Sequence, residues 1–156
     1  MSGAWATRAS MVSSPGTLRR VMVAAALVPH SELTVEAVGI NPLRAGILEV
    51  FADSGVAFRV EDTRDQLGEA VASIKVEATR SLRPIHVSGD IVPRLIDEIP
   101  ILAVLATQCE GISQFLDVGE LRVKESDRIA TVAGMLGRIG ITCEERGDGL
   151  VIRGGR

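Results

Sequence analysis

From Glu32 the chain alternates. Leu33, Val35 and Ala37 are apolar while Thr34 and Glu36 are polar, the period of two expected of a strand with one buried face. Asn41-Pro42 then predicts a helix start, because Asn is a good N-cap and Pro loses nothing in a first turn whose N–H groups lack intrahelical partners. Leu43, Ile47, Val50 and Phe51 follow at helical spacing, Gly55 suits a left-handed residue past the helix end, and Val56, Phe58 and Val60 alternate as a second strand. A further strand is expected near 72–78, after a polar link. Upstream, the apolar run 21–28 reads as a short buried helix leading into the first strand.

The second half repeats this order. Residues 94–108 predict an apolar helix, 112–118 a strand, and Ile129, Val132, Ala133 and Leu136 one face of a helix stopped near Gly140. Ile141 and Cys143 open the next strand, and Asp148-Gly149 predicts a two-residue hairpin turn into 150–152. Gly55 and Gly140 occupy equivalent places, as do Val38 and Val118, so the period is roughly 80–85 residues, longer than solenoid repeats. The expectation is an α/β domain built from two copies of one unit, about 21–80 and 81–156, whose sheets carry parallel and antiparallel pairs. Residues 1–20 are left unplaced, and the link 79–88, which contains Pro84, is expected to be exposed or at a sheet edge.

Composition narrows the function classes. With 46% hydrophobic and 24% charged residues among 156, the chain can bury a sizeable core. A formal net charge of -3 makes no electrostatic case for nucleic acid or an anionic membrane as partner, so an anionic ligand must be held by local charges. The run 21–28 is far short of the roughly 20 residues that span a bilayer. Residues 1–31 carry Arg8, Arg19 and Arg20 and no acid, as transit and secretory leaders do, but the repeat pairs 21–27 with the helix segment 101–107 and favours a buried helix. Cys109 and Cys143 are far apart and there are two histidines, His30 and His86, so no metal site or disulfide is expected. Reduced thiols and a cytoplasmic location are the expectation, with both histidines at the surface.

The densest polar cluster is Glu120-Leu-Arg-Val-Lys-Glu-Ser-Asp-Arg128, between a predicted strand and a predicted helix. Loops of this kind carry ligand sites in α/β proteins, since N–H groups at a helix start favour anions. Lys124 and Arg128 add full charge, one as a point cation and the other as a planar fork for carboxylate or phosphate. The plainer reading is a helix capped by Ser126 or Asp127, with solvated ion pairs around it. Lysine is scarce, Lys75 and Lys124 being the only two, which draws the eye to this loop. Asp97, in Pro93-Arg-Leu-Ile-Asp-Glu-Ile-Pro100, is either the N-cap of the apolar helix or a carboxylate able to take a proton from a substrate hydroxyl. Arg44, the repeat counterpart of Arg128, lacks the preceding cluster and is read as structural.

The segments 93–106 and 120–129 resemble the signature segments of the 5-enolpyruvylshikimate-3-phosphate synthases, and 31–44, with its Asn-Pro-x-Arg helix start, is similar to the same family. The resemblance implies a fold of six βαβαββ units in two domains, of which this chain looks like two. It implies transfer of the enolpyruvyl group of phosphoenolpyruvate to the 5-hydroxyl of shikimate 3-phosphate, with no cofactor and no metal. Asp97 looks like the base that accepts the 5-hydroxyl proton and also a substrate ligand. Glu125 resembles the acid that protonates the methylene carbon, Lys124 a ligand of shikimate 3-phosphate, and Arg128 one of the arginines holding phosphoenolpyruvate. The chain departs from the family over 11–20, where a Gly-Asp-x-Ser-Ser type segment is expected, and several phosphate-holding groups of the family have no counterpart in it. A polypeptide carrying the missing units is therefore a further expected partner, and a non-catalytic remnant or phosphate-binding module the alternative function. The related UDP-N-acetylglucosamine enolpyruvyl transferases share the fold, but the Lys-Glu-Ser-Asp-Arg cluster argues against them.

Overall fold

The computed structural model describes the backbone of residues 5–9, 15–41 and 45–155 and the side chains of 17–41 and 45–155. The chain divides into two compact units, Met1–Arg80 and Ser81–Arg156.

The first unit runs β1 (Trp5–Ala9), α1 (Pro15–Leu27), β2 (Ser31–Gly39), α2 (Gly46–Ser54), β3 (Ala57–Gln66) and β4 (Glu69–Glu77). Its sheet has the order β1-β2-β4-β3, with β1 and β2 parallel and the remaining pairs antiparallel. The helix over 21–28 begins earlier than the apolar run suggests, at Pro15, and buries Leu18, Met22, Val23, Ala25 and Ala26. Beyond its end, the Ser31 hydroxyl donates to the Val28 carbonyl at 2.8 Å. The predicted Asn41-Pro42 helix start is corrected: α2 begins at Gly46 behind Ala45, which gives no side-chain cap, and Pro42, Leu43 and Arg44 lie outside the described residues. What defines α2 is its packing face, Ile47, Val50, Phe51 and Ser54, all buried, with Phe51 edge-on to Phe58 at 6.0 Å.

Alternation in β2 holds through Leu33 and Val35 and then breaks. Ala37 takes a positive φ of 55° at a bulge between Val35 and Val38, and Asp62 does the same, at 52°, in β3 between Glu61 and Arg64. Each bulge inserts one residue opposite the same stretch of β4, 71–74, and so bends both flanking strands at one level.

The second unit runs β5 (His86–Val87), a 3-10 turn (Gly89–Arg94), α3 (Ile99–Ala106), β6 (Gly111–Phe115), a 3-10 turn (Gly119–Arg122), α4 (Arg128–Arg138), β7 (Thr142–Arg146) and β8 (Gly149–Gly154). The sheet order β5-β6-β8-β7 and its strand directions repeat those of the first unit. Each unit thus carries a first strand, β1 or β5, that the hydrophobic pattern did not reveal. The link 79–88 reaches the sheet edge through β5 but is not simply exposed. Leu82, Ile85 and Val87 are buried, and the buried Ser113 hydroxyl accepts the Ile85 N–H at 3.0 Å.

The long helix expected over 94–108 is two pieces: a 3-10 turn ending at Arg94 and, after a turn, α3 from Ile99. Pro100 sits in the first turn of α3, where it is tolerated. Ile99, Leu102, Ala103, Leu105 and Ala106 are all buried, the mark of a helix enclosed on most sides. The predicted Asp148-Gly149 turn moves by one residue. Arg146 pairs with Gly149, and the turn is Gly147-Asp148, with Gly147 at φ 56°. Gly149 is a strand residue whose missing Cβ matters, since a Cβ there would lie 2.5 Å from the Phe115 carbonyl oxygen.

Both α2 and α4 end in one way. Gly55 and Gly140 are left-handed, at φ 82° and 80°, and the residue after each donates to the carbonyl five back, Val56 to Phe51 and Ile141 to Leu136. This is the Schellman arrangement, which satisfies carbonyls the helix leaves open.

The two cysteines are free, Cys109 buried and Cys143 half-buried. Burial pushes the Cys109 thiol up to about 11, its contact with Ser113 opposing in part. Native chain at pH 8 should therefore leave Cys109 unmodified by iodoacetamide while the denatured chain reacts. The linked sign is that stability falls as pH rises from about 9, the model thiol value, toward 11, because the unfolded thiol ionises first. Peptide mapping that found Cys109 alkylated in the native state would contradict its burial. His30 and His86 are exposed, as read from the sequence.

Candidate active site

The site is built where β6 gives way to α4. Past Phe115, Asp117 adopts φ 60° and its carboxylate accepts the Gly89 N–H at 2.9 Å, tying the strand end to the start of the 3-10 turn Gly89–Arg94. Val118 and Leu121 are fully buried and pin the next turn, and Ile129, also fully buried, pins the first turn of α4. Between these anchors the chain rises from the surface, with Val123 81% exposed and Glu125 and Ser126 exposed. An apolar side chain so exposed is not there to pack.

Of the two capping candidates, Asp127 is the N-cap. Its carboxylate accepts the Ala130 N–H at 3.0 Å, and its carbonyl accepts the Thr131 hydroxyl at 2.8 Å. That N–H bond first, and the Arg122 guanidinium after it, hold the Asp127 carboxyl below its ordinary value. Arg122 donates from Nη1 to Asp127 at 2.9 Å and from Nε and Nη2 to the Gly147 carbonyl at 3.0 and 2.7 Å, and its Nη1 lies 3.0 Å from Glu145. The bonds to Asp127 and then Glu145 hold its guanidinium above its ordinary range.

Asp97 does not cap α3. The N-cap position is Glu98, whose side chain makes no capping bond, and Asp97 lies one residue earlier in an exposed turn between the buried Leu95 and Ile99. Its carboxylate faces Arg128, the first residue of α4, with Nη1 to Oδ1 at 3.5 Å. Two motif segments 31 positions apart therefore meet. Lys124 turns to Glu120, with Nζ 2.6 Å from Oε1, and Glu125 points outward from the same loop. The structure thus joins Asp97 to Arg128 and sets Lys124 and Glu125 in the loop that ends at Arg128. What the arrangement offers chemically is two exposed carboxylates and two cations on one short stretch of surface, with no group of three metal-ligating side chains among the described residues.

Sequence reading missed the framework. Arg122, Glu145 and the Gly147 carbonyl, and the Asp117 to Gly89 bond, join segments far apart in the chain. Only the Glu120–Lys124 pair had a local signal, four-residue spacing.

Comparison with known proteins bears on the chain as a whole. Residues 19–156 match the family described as EPSP synthase (3-phosphoshikimate 1-carboxyvinyltransferase). The chain is 50% identical over 134 residues to 3-phosphoshikimate 1-carboxyvinyltransferase of Synechococcus elongatus, covering 86% of this chain and 30% of that protein. It is 41% identical over 157 residues to the enzyme of the same name in Geobacillus kaustophilus, covering 99% and 36%. Among solved structures, EPSP synthase from Acinetobacter baumannii matches with a TM-score of 0.85 at 40% identity, over 89% of this chain and 31% of that one. The enolpyruvyl transferase NikO from Streptomyces tendae shares the fold, with a TM-score of 0.63 at 18% identity over 92% of this chain and 31% of that one. The chain spans about a third of the length of the curated relatives it matches. On these matches the chain belongs to the EPSP synthase family.

Proposed function

We propose that this chain carries one wall of a site for transferring the enolpyruvyl group of phosphoenolpyruvate to the 5-hydroxyl of shikimate 3-phosphate, in the cytoplasm and without a cofactor. The observation that carries the reading is the contact of Asp97 with Arg128, which joins the two motif segments at one point of the surface. In this reading the chain supplies two of six βαβαββ units, and the rest of the site comes from a polypeptide carrying the others.

The roles follow from chemistry. Asp97 takes the proton of the 5-hydroxyl as its oxygen attacks C2 of phosphoenolpyruvate, and Glu125 gives a proton to the methylene carbon, so that a tetrahedral adduct forms without free carbanion or alkoxide. Loss of a proton from the new methyl group and of phosphate from C2 completes the transfer. Lys124 holds shikimate 3-phosphate, and Arg128 holds phosphoenolpyruvate through its planar fork while keeping the Asp97 carboxylate aimed.

A second reading, a phosphate-binding remnant without turnover, draws on the pairing of both cations with carboxylates of the same unit, Lys124 with Glu120 and Arg128 with Asp97. The same titration serves both. Shikimate 3-phosphate added to isotope-labelled chain should shift the amide signals of Lys124, Glu125 and Arg128, and Lys124→Ala or Arg128→Ala should weaken that binding at least about tenfold. Neither variant should cost more than about 2 kcal/mol of stability, since exposed pairs contribute little to folding. Unshifted loop signals at millimolar ligand would remove both readings.

A further inference from the structure

Lys124, Glu125 and Ser126 have no apolar anchor of their own. Val123 is turned to solvent, and the chain is buried only at Leu121 and Ile129, on either side. Something else must hold the loop in one shape if it is to present charges at fixed positions. We propose that Arg122 is the positioning residue of this site: by bridging the loop's two ends to the β7–β8 hairpin it fixes the conformation in which 123–126 present Lys124 and Glu125.

The geometry is specific to a guanidinium. One planar group reaches the Gly147 carbonyl with two N–H donors, the Asp127 carboxylate with another, and lies within 3.0 Å of Glu145. It thereby spans the turn that precedes the loop, the N-cap that follows it, and the hairpin behind it. Asp127 closes the loop from the far side, and the Asp127–Arg122 bond joins residues five apart across 123–126. The hairpin is itself fixed against the same turn, since the Val118 N–H donates to the Asp148 carbonyl at 3.0 Å and a Cβ on Gly119 would lie 3.1 Å from the Asp148 Cβ. Lysine could not replace the fork, because a single ammonium cannot serve a carbonyl on one side and two carboxylates on the other in a fixed plane. The role is distinct from holding the fold together. Without Arg122, Leu121 and Ile129 remain buried and Asp127 still caps α4 through Ala130, so the unit stays folded while the loop between loosens.

That the loop meets shikimate 3-phosphate rests on the function proposed above, whereas its order does not, and the experiment separates them. Backbone relaxation of the labelled chain gives order parameters residue by residue, and titration of the same samples with shikimate 3-phosphate gives affinity. In Arg122→Lys the order parameters at Lys124, Glu125 and Ser126 should drop from the rigid range near 0.85 to below about 0.6, with β6, β8 and the rest of α4 unchanged. Affinity should fall at least about tenfold with the thermal midpoint of the unit held. Glu145→Ala, which removes one contact and keeps the others, should loosen the same residues by less, and it decides alone should Arg122→Lys melt the unit. A loop as ordered in the variants as in the parent, or loosening spread evenly over the unit, overturns the proposal, as does a loosened loop with undiminished affinity. Failure of the parent chain to bind shikimate 3-phosphate counts against the proposed function, and the order parameters then decide the role of Arg122 by themselves.

Discussion

Phosphate release by the isolated chain, given shikimate 3-phosphate and phosphoenolpyruvate, is expected to stay at background. The two substrates bring two phosphates and two carboxylates into one place, and holding them side by side needs several cations converging from opposite walls. From the candidate loop this chain offers Lys124 and Arg128, each already facing a carboxylate. Without a second wall nothing fixes the 5-hydroxyl oxygen against C2 of phosphoenolpyruvate, and that positioning contributes roughly 7–11 kcal/mol in well-oriented reactions. Losing half of it suppresses turnover by more than about a hundredfold, at about 1.4 kcal/mol per factor of ten. In the function proposed above, adding a polypeptide that carries the other four units is expected to restore release, and Asp97→Ala in this chain to abolish the restored activity. Steady release by the isolated chain, lost in Asp97→Ala, would show instead that the chain completes a site by itself.

The largest effect on stability should come from a single methyl group at Gly154. A Cβ there would lie 2.2 Å from the Ala106 carbonyl oxygen, 2.4 Å from that of Cys109 and 2.9 Å from that of Thr107. These are backbone atoms at the end of α3, and β8 packs directly on them, with the Gly155 N–H donating to the Thr107 carbonyl at 3.2 Å. Backbone cannot step aside as a side chain can, so Gly154→Ala is expected to cost about 3 kcal/mol or more, the upper range for overpacking. Gly134 is the contrasting case. It is exposed inside α4, and a Cβ there would meet nothing within 4 Å, so Gly134→Ala should stabilise by about 0.5–1 kcal/mol. Urea denaturation followed by far-UV circular dichroism reads both. Near-equal midpoints for the two variants would mean that β8 and α3 do not approach as described.

The residues that mark helix ends and buried faces were legible because their signals are local. Gly55 and Gly140 ended α2 and α4 as expected, since a left-handed residue past a helix is a matter of that residue's own backbone freedom. Leu33 with Val35, and Ile129 with Val132 and Leu136, were buried as their spacing said. Where local signals competed, the reading failed. Asn41 and Asp97 are both good caps by residue type, yet Ala45 and Glu98 hold the N-cap positions, because the helix starts where its buried face starts. The Asp148-Gly149 pair looked like a turn, but Gly149 was taken by the close approach of Phe115 and the turn fell to Gly147.

By itself the sequence determined the α/β character, the apolar faces and the four candidate residues Asp97, Lys124, Glu125 and Arg128, each written in a stretch of a dozen residues or fewer, and the repeat, which is the same order of such stretches met twice. The tertiary structure alone decided what those residues touch. That Arg128 meets Asp97, that Lys124 turns to Glu120, and that Arg122 reaches a hairpin carbonyl 25 positions away depend on how strands and helices stack. So do the short first strands. A strand such as β5, two residues long, has no period to read and exists only because its edge finds β6. Contacts between distant segments are fixed by packing and by the satisfaction of backbone groups across the fold, and neither leaves a periodic trace in the chain.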